Sequence, residues 1–284
     1  MIPNNFHFVF GMASDFGGKP FSLIHYISIK SAIKYNNPDK IYFHYQYEPS
    51  GEWWKKIKPE LTLNQIKAPK EIFGNPLLHV AHQADIVRLQ VLLEFGGIYM
   101  DLDTICVKPM TDLLRYECVM GYQINSYIAT LPKGLFRSLK LLRRKILYPY
   151  NKPEVSGLCN GIILSAKNSE FISSWLNTYS NFRSKGRDKF WAEHSVLIPS
   201  KLSAKLKDKI HILDEYSFHY PPPSENLLST FFEENLEYPS SYIHHLWETV
   251  TWANYLRDLT IDKIKSEKGT FYRLCREILD LNIS

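Results

Sequence analysis

Gly96-Gly97-Ile98-Tyr99-Met100-Asp101-Leu102-Asp103 is the stretch on which the reading of this chain turns. Ile98, Tyr99 and Met100 have the β-branched, aromatic and apolar character of a buried strand. The glycine pair separates that strand from the apolar segment before it. Side chains alternate along an extended segment, so Asp101 and Asp103 are expected on one face and Leu102 on the other. Two carboxylates side by side at a strand tip repel each other and are poorly solvated. A hard divalent cation, Mg²⁺ or Mn²⁺, resolves that conflict, because it binds one or two carboxylates and fills its shell with water and phosphate oxygens. The expectation is a metal–diphosphate site.

Working outward, His79 to Phe95 reads as a helix that is apolar nearly all round from Ile86 onward, hence buried, with Gly96 as its C-cap. Asp85 and Arg88 stand three apart on it and share a face. Upstream, Phe6–Phe10 and Lys40–Tyr45 read as strands, and Ser22 opens a helix from Leu23 to about Tyr35 that Asn36-Asn37-Pro38 stops. A short helix is expected around Trp53–Lys58 and an extended piece near Leu63–Ile66. Downstream, strands are expected at Cys118–Tyr122, Ile162–Ser165, Ile210–Leu213 and Tyr242–His245. Helices are expected at Leu135–Leu147, Glu170–Phe182 and Phe271–Leu281. Strands alternating with helices imply an α/β sandwich with a largely parallel sheet flanked by helices.

The 284 residues suffice for one large domain. We expect a single domain over 1–284, made of two halves, 1–125 and 126–284. Apolar residues make up 45% and charged residues 22%, which argues against disorder. The net charge of +5 is too diffuse to indicate nucleic acid, and no nucleic-acid motif is present. Cys106, Cys118, Cys159 and Cys275 show no Cys-x-x-Cys pair, so they read as reduced thiols of a cytoplasmic protein. No segment reaches the roughly 18 to 20 apolar residues of a membrane span. In the helix at 135–147, Lys133, Arg137, Lys140, Arg143, Arg144 and Lys145 flank an apolar stripe. That pattern reads as a solvated face or, alternatively, a peripheral contact with anionic membrane.

With these residues in place the chain resembles a family. The run Ala84-Asp85-Ile86-Val87-Arg88 through Leu93-Glu94-Phe95 and the Gly96–Asp103 stretch, then Val107-Lys108-Pro109, resembles the DXD sugar-binding region of glycosyltransferase family 32. That family is distantly similar to the glucosylating clostridial toxins. Ile2-Pro3 with His7–Phe10, Ser156–Ile163 around Asn160, and His245-Leu246-Trp247 followed by Thr251-Trp252 are similar to further signals of the family. The resemblance implies a GT-A fold, which is Rossmann-related, and retaining transfer of a hexose or N-acetylhexosamine. The donor would be a UDP-sugar or GDP-mannose, and the acceptor a glycan, a lipid-linked sugar or a protein.

It further implies that Asp103 ligates Mn²⁺ or Mg²⁺ directly, and that Asp101 completes the shell and contacts ribose and sugar hydroxyls. Asp85 and Arg88 hold the donor sugar, and Asn160 sits near sugar and acceptor. His245 supplies a late metal ligand, with His244 the alternative, and Trp247 or Trp252 closes over the diphosphate. Where relatives carry Gly-Pro, this chain reads Phe190-Trp191-Ala192-Glu193-His194-Ser195, so Glu193 and His194 are candidates for the acceptor side. Two rival readings stand beside this one. A haloacid-dehalogenase-like phosphatase also uses Asp-x-Asp at a strand end, although Ile105 occupies the place where its pattern wants Thr or Val. A nucleotide-sugar-binding module without turnover would bear the same acids.

Overall fold

The computed structural model describes residues 1–124 and 155–281. The helix expected at 135–147, with its basic face, lies outside the described residues. In chain order the strands are β1 (Asn5–Phe10), β2 (Lys40–Tyr45), β3 (Thr62–Gln65), β4 (Glu71–Ile72), β5 (Asn75–Pro76), β6 (Gly97–Met100), β7 (Thr104–Cys106), β8 (Cys118–Ile124), β9 (Val155–Ser165), β10 (His211–Leu213) and β11 (Ile243–His245). The α-helices are α1 (Leu23–Asn36), α2 (Glu52–Ile57), α3 (Val80–Phe95), α4 (Glu170–Asn177), α5 (Ile198–Lys205), α6 (Glu225–Glu233), α7 (Glu248–Thr251), α8 (Ile261–Ser266) and α9 (Thr270–Ile278).

Seven strands form the central sheet in the order β10-β8-β9-β6-β1-β2-β3. Pairing is parallel from β6 through β1 and β2 to β3, and between β10 and β8. Only β9 runs antiparallel, wedged between β6 and β8. The largely parallel sheet expected from the alternation is thus present. Strands buried on both faces explain why Phe6, Phe8, Phe43, Ile98 and Ile162 are fully enclosed. Two large apolar clusters pack around the sheet. A third joins α1 to Phe231, Phe232 and the C-terminal helices.

Local chemistry accounts for several boundaries. Asn37 ends α1 in the left-handed conformation at φ 42°, with its N–H on Ile33 O. His79 caps α3, its Nδ1 accepting from Ala81 N–H at 3.1 Å. Gly96 ends α3 at φ 65° and donates to Leu92 O. A Cβ on Gly96 would stand 2.6 Å from Lys167 N, and one on Gly97 (φ 119°) 2.5 Å from Asn5 O. Only glycine lets a helix turn straight into the middle of this sheet.

The expected helix at 170–182 is instead α4 followed by a 3₁₀ turn over Thr178–Asn181. The expected strand at 242–245 forms, but as β11 it leaves the main sheet and pairs antiparallel with β7, His245 opposite Thr104. No helix among the described residues is long and apolar enough to cross a membrane.

Candidate active site

The site grows from the place where β6 stops. Met100 is the last residue of β6 paired with β9, and Asp101 N–H still donates to Gly161 O at 2.8 Å. The chain then turns, with Thr104 Oγ1 donating to Asp101 O at 2.5 Å. Asp101 and Asp103 therefore share one side because of a turn beyond the strand, which corrects the expectation of strand alternation. Leu102 is buried in the apolar core. From there β7 enters its pairing with β11, and Leu246 N–H donates to Asp103 O at 2.8 Å. One turn thus brings together segments about 140 residues apart in sequence.

Asp101, Asp103 and His245 each offer a ligand atom, and these atoms lie within 4.8 Å of one another. His245 Nε2 is 3.3 Å from Asp103 Oδ1, and Glu248 N–H donates to Asp103 Oδ2 at 2.7 Å. The imidazole stacks on Trp247, ring centroids 3.9 Å apart. Strand alternation sends His244 the other way, where its Nδ1 meets Tyr220 O at 2.8 Å and its ring packs on Phe231. On geometry, His245 rather than His244 faces the acids.

On the other side of Asp101 lies a buried polar network. Arg88 Nη1 donates to Asn160 O at 2.6 Å and stands 3.3 Å from Asp101 Oδ1, while Nη2 is 3.4 Å from Asp85 Oδ1. Asn160 Nδ2 donates to Asp85 Oδ1 at 2.6 Å. Tyr99 O–H donates to Asp101 Oδ1 at 2.6 Å, and the Arg88 guanidinium lies over the Tyr99 ring. One cation is shared by two carboxylates, an arrangement that costs desolvation and favours positioning over stability.

The two acids differ in charge state. Burial pushes the Asp101 carboxyl up, and Arg88 only partly offsets it. Burial also opposes ionisation of Asp103, yet His245 and the Glu248 N–H outweigh it and hold that carboxyl below the usual range. Burial works against a charged His245 too, but Asp103 and Cys159 override it and push the imidazole up to about 10. Asp103 and His245 thus form an ion pair next to a less readily ionised Asp101.

These residues line one cleft of about 360 Å³, with Asp85, Arg88, Asp101, Asp103, Asn160, His245 and Trp247 in its wall. Trp252 is placed elsewhere, half-buried against the C-terminal cluster with Lys19 Nζ over its ring. Glu193 and His194 turn away from this cleft. Glu193 is held by Arg183 through two bonds of 2.6 and 2.9 Å, and His194 Nε2 meets Thr178 O. Their neighbours Trp191 and Ser195 line the cleft instead. His82, Gln123 and Cys159 also stand in the wall, and no local pattern in the sequence marks them. The Tyr99 contact has a local signal, because Tyr99, in β6, sits two residues before Asp101.

The donor set fits a divalent cation of intermediate hardness: two carboxylates and an imidazole. A cradle is also present. A Cβ on Gly161 would stand 3.0 Å from Asp101 Oδ2 and 3.1 Å from His245 Cε1, so the missing side chain keeps that space clear.

A carboxylate pair and a histidine thus stand at the end of a central parallel strand, in one cleft of a mostly parallel α/β sheet. Residues 26–120 match the family described as glycosyltransferase sugar-binding region containing DXD motif. Glucan organizing enzyme 1 of Cryptococcus neoformans var. grubii serotype A (strain H99) is 32% identical over 285 residues, covering 98% of this chain and 71% of the relative. The bifunctional glycosyltransferase WbbM shares the fold at TM-score 0.52, with 10% identity over 99% of this chain and 50% of that one. The galactosyltransferase LgtC superposes at TM-score 0.47, with 11% identity over 99% of this chain and 96% of that one. The chain belongs to the glycosyltransferase family with the DXD sugar-binding region. That membership leaves the phosphatase reading without support.

Proposed function

We propose that this glycosyltransferase moves a hexose or N-acetylhexosamine from a UDP- or GDP-linked donor with retention of anomeric configuration, in a reaction that depends on Mn²⁺ or Mg²⁺. The observation that carries it is the convergence of Asp101, Asp103 and His245 within 4.8 Å beside the buried Asp85–Arg88–Asn160 network. Asp103, Asp101 and His245 would hold the cation, which when bound supplies positive charge against the diphosphate leaving group. Arg88 adds a fixed positive charge beside Asp101, and Asp85 and Asn160 keep it in place, so no reorganisation accompanies charge development. Asp85 and Asp101 offer carboxylate oxygens to hydroxyls of the donor, and Trp247 gives a flat apolar wall above it.

In the transfer, the anomeric carbon–phosphate oxygen bond breaks and a bond to the acceptor hydroxyl oxygen forms. The acceptor proton passes to the departing phosphate oxygen on the same face, and no dedicated base from the chain is needed. Holding the acceptor close and aligned is then the main task of the cleft wall. The name of the Cryptococcus relative favours a glycan acceptor over a lipid or a protein.

Asp103→Ala should abolish metal-dependent donor hydrolysis and transfer while the protein still unfolds cooperatively. A panel of nucleotide-sugars with and without Mn²⁺, read by thermal shift, identifies base, sugar and cation together. Full turnover by Asp103→Ala overturns this assignment. Tight nucleotide-sugar binding by the unaltered protein, with neither hydrolysis nor transfer, would make it a binding module.

A further inference from the structure

His219 has no part in the chemistry above, and its situation is hard to explain as packing. It is fully buried, and both ring nitrogens lack a hydrogen-bond partner among the described residues. A buried imidazole always carries at least one polar N–H and one lone pair or a second N–H, and leaving both unmatched forfeits the hydration each had in the unfolded chain.

Two other orphaned or soft donors converge on it. His245 turns Nε2 toward Asp103, and its buried Nδ1, on the side of Cys159, has no hydrogen-bond partner among the described residues. Cys159, in β9, presents a buried free thiol. One ligand atom each from Cys159, His219 and His245 falls within 4.8 Å of the others. Their chain positions exclude a local motif: Cys159 comes from the strand inserted antiparallel into the sheet, His219 precedes Tyr220, and His245 ends β11.

We propose that Cys159, His219 and His245 form a second metal site, selective for a thiophilic ion such as Zn²⁺. Sulfur and two imidazole nitrogens are the donors zinc takes in three-ligand sites, with a fourth position open to water or substrate. Mn²⁺ and Mg²⁺ prefer the oxygen-rich set formed by Asp101 and Asp103. The two sets lie on opposite sides of one ring and share His245. On zinc binding, the Cys159 thiol and the His245 Nδ1–H each give a proton to solvent as the metal–sulfur and metal–nitrogen bonds form. Loading of the soft site commits His245 and so weakens Mn²⁺ binding at the acids. Zinc is therefore an inhibitor that acts from behind the catalytic histidine rather than by simple exchange at Asp103.

This inference rests on His245 facing both sets, yet it can be tested apart from the catalytic assignment. The chelator-treated full chain is titrated with Co²⁺ as the probe. A sulfur-to-cobalt charge-transfer band in the near ultraviolet should saturate at one equivalent and disappear when Zn²⁺ is added. Cys159→Ser should lose the band, and His219→Gln should weaken binding by more than the roughly tenfold that loss of an outer-shell partner costs. Asp103→Asn should keep the band. Far-ultraviolet circular dichroism and unfolding curves verify that each variant is folded.

Absence of the band in the unaltered protein, or its survival in Cys159→Ser, overturns the soft site. Mn²⁺ binding followed by electron paramagnetic resonance reports on the acids separately. Its failure in the unaltered protein would sink the catalytic metal assignment while leaving the thiolate band interpretable. With both sites intact, Zn²⁺ should displace Mn²⁺ from the unaltered protein and not from Cys159→Ser.

Discussion

Gly161 holds the site open by having no side chain. Its φ is not in the left-handed region, so alanine is allowed by the backbone, and the only obstacle is what the new methyl would meet: Asp101 Oδ2 at 3.0 Å and His245 Cε1 at 3.1 Å. Both groups must give by a few tenths of an ångström, and both belong to the acid–histidine set. Gly161→Ala should therefore lower Mn²⁺ affinity by about tenfold or more, while the cost to stability stays within the roughly 1–3 kcal/mol of a small overpacking. Calorimetric Mn²⁺ titration beside urea unfolding separates the two, and unchanged affinity would mean that the cation lies elsewhere. At this scale the meeting of the acids and Arg88 was legible in the sequence, because Arg88 lies on the helix that the glycine pair turns directly into the aspartate segment. Gly161, Cys159 and Trp191 were not. Their roles depend on β9 lying antiparallel beside β6 and on a loop folding across the cleft, neither of which leaves a local signal.

Three neighbouring strands are tied to the glycine pair by a chain of histidines. Asn64 Nδ2 in β3 lies 2.9 Å from His44 Nδ1 in β2. An amide N–H can only donate, so His44 accepts at Nδ1 and carries its proton on Nε2. That proton points at His7 Nδ1 in β1, 3.0 Å away, and His7 in turn donates from Nε2 to Gly96 O at 2.8 Å. Every link requires neutral rings. A proton added to either Nδ1 would face an existing donor. Burial accordingly pushes His7 down to about 4, against the pull of Gly96 O, and pushes His44 to about 3 with His7 adding to it.

Because both folded values lie below the unfolded value near 6.5, the unfolded chain takes up protons first as pH falls. The stabilisation is complete above about pH 6.5 and declines toward pH 4, by about 1.4 kcal/mol per pH unit for each ring. Urea unfolding between pH 7 and 4.5 should show this slope, and His44→Gln should flatten it by about one ring's share. An identical slope in the variant would mean that other groups set the acid sensitivity. The elements themselves were readable here, since Lys40–Tyr45 is bounded as expected and Phe6–Phe10 starts one residue early. The relay was not, because it needs the parallel register that sets His7 opposite Tyr42, from which its ring reaches His44 two residues on.

Across the whole molecule, the site depends on residues far beyond the DXD region. β11 and Trp247 reach Asp103 only because the segment around them is anchored, and the anchor is the cluster that joins α1 to α6, α8 and α9. The sequence left most of this region blank: α6 and α8 are short amphipathic helices whose apolar faces match no extended pattern, and their burial is decided by α1, some 200 residues earlier. Phe271 packs on Phe232 with ring centroids 4.5 Å apart, and Arg276 Nη1 donates to Ile264 O at 2.6 Å. Glu248 adds a polar clasp to the N-terminal part, 2.8 Å to Lys19 Nζ and 3.2 Å to His25 Nε2. A chain ended at Thr260 would lose the burial of Ile264, Phe271, Leu274, Cys275 and Ile278, all enclosed in the intact protein. At about 1.5–3 kcal/mol for each large side chain, the loss is comparable to the roughly 5–15 kcal/mol that stabilises a whole domain. We therefore expect one cooperative unit. The full chain should unfold in urea with coincident circular dichroism and tryptophan fluorescence transitions, and the shortened chain should show no cooperative transition and no Mn²⁺ binding. If the shortened chain instead unfolds sigmoidally, the C-terminal helices are a separate unit. Its retention of Mn²⁺ would further show that His245 is anchored without them.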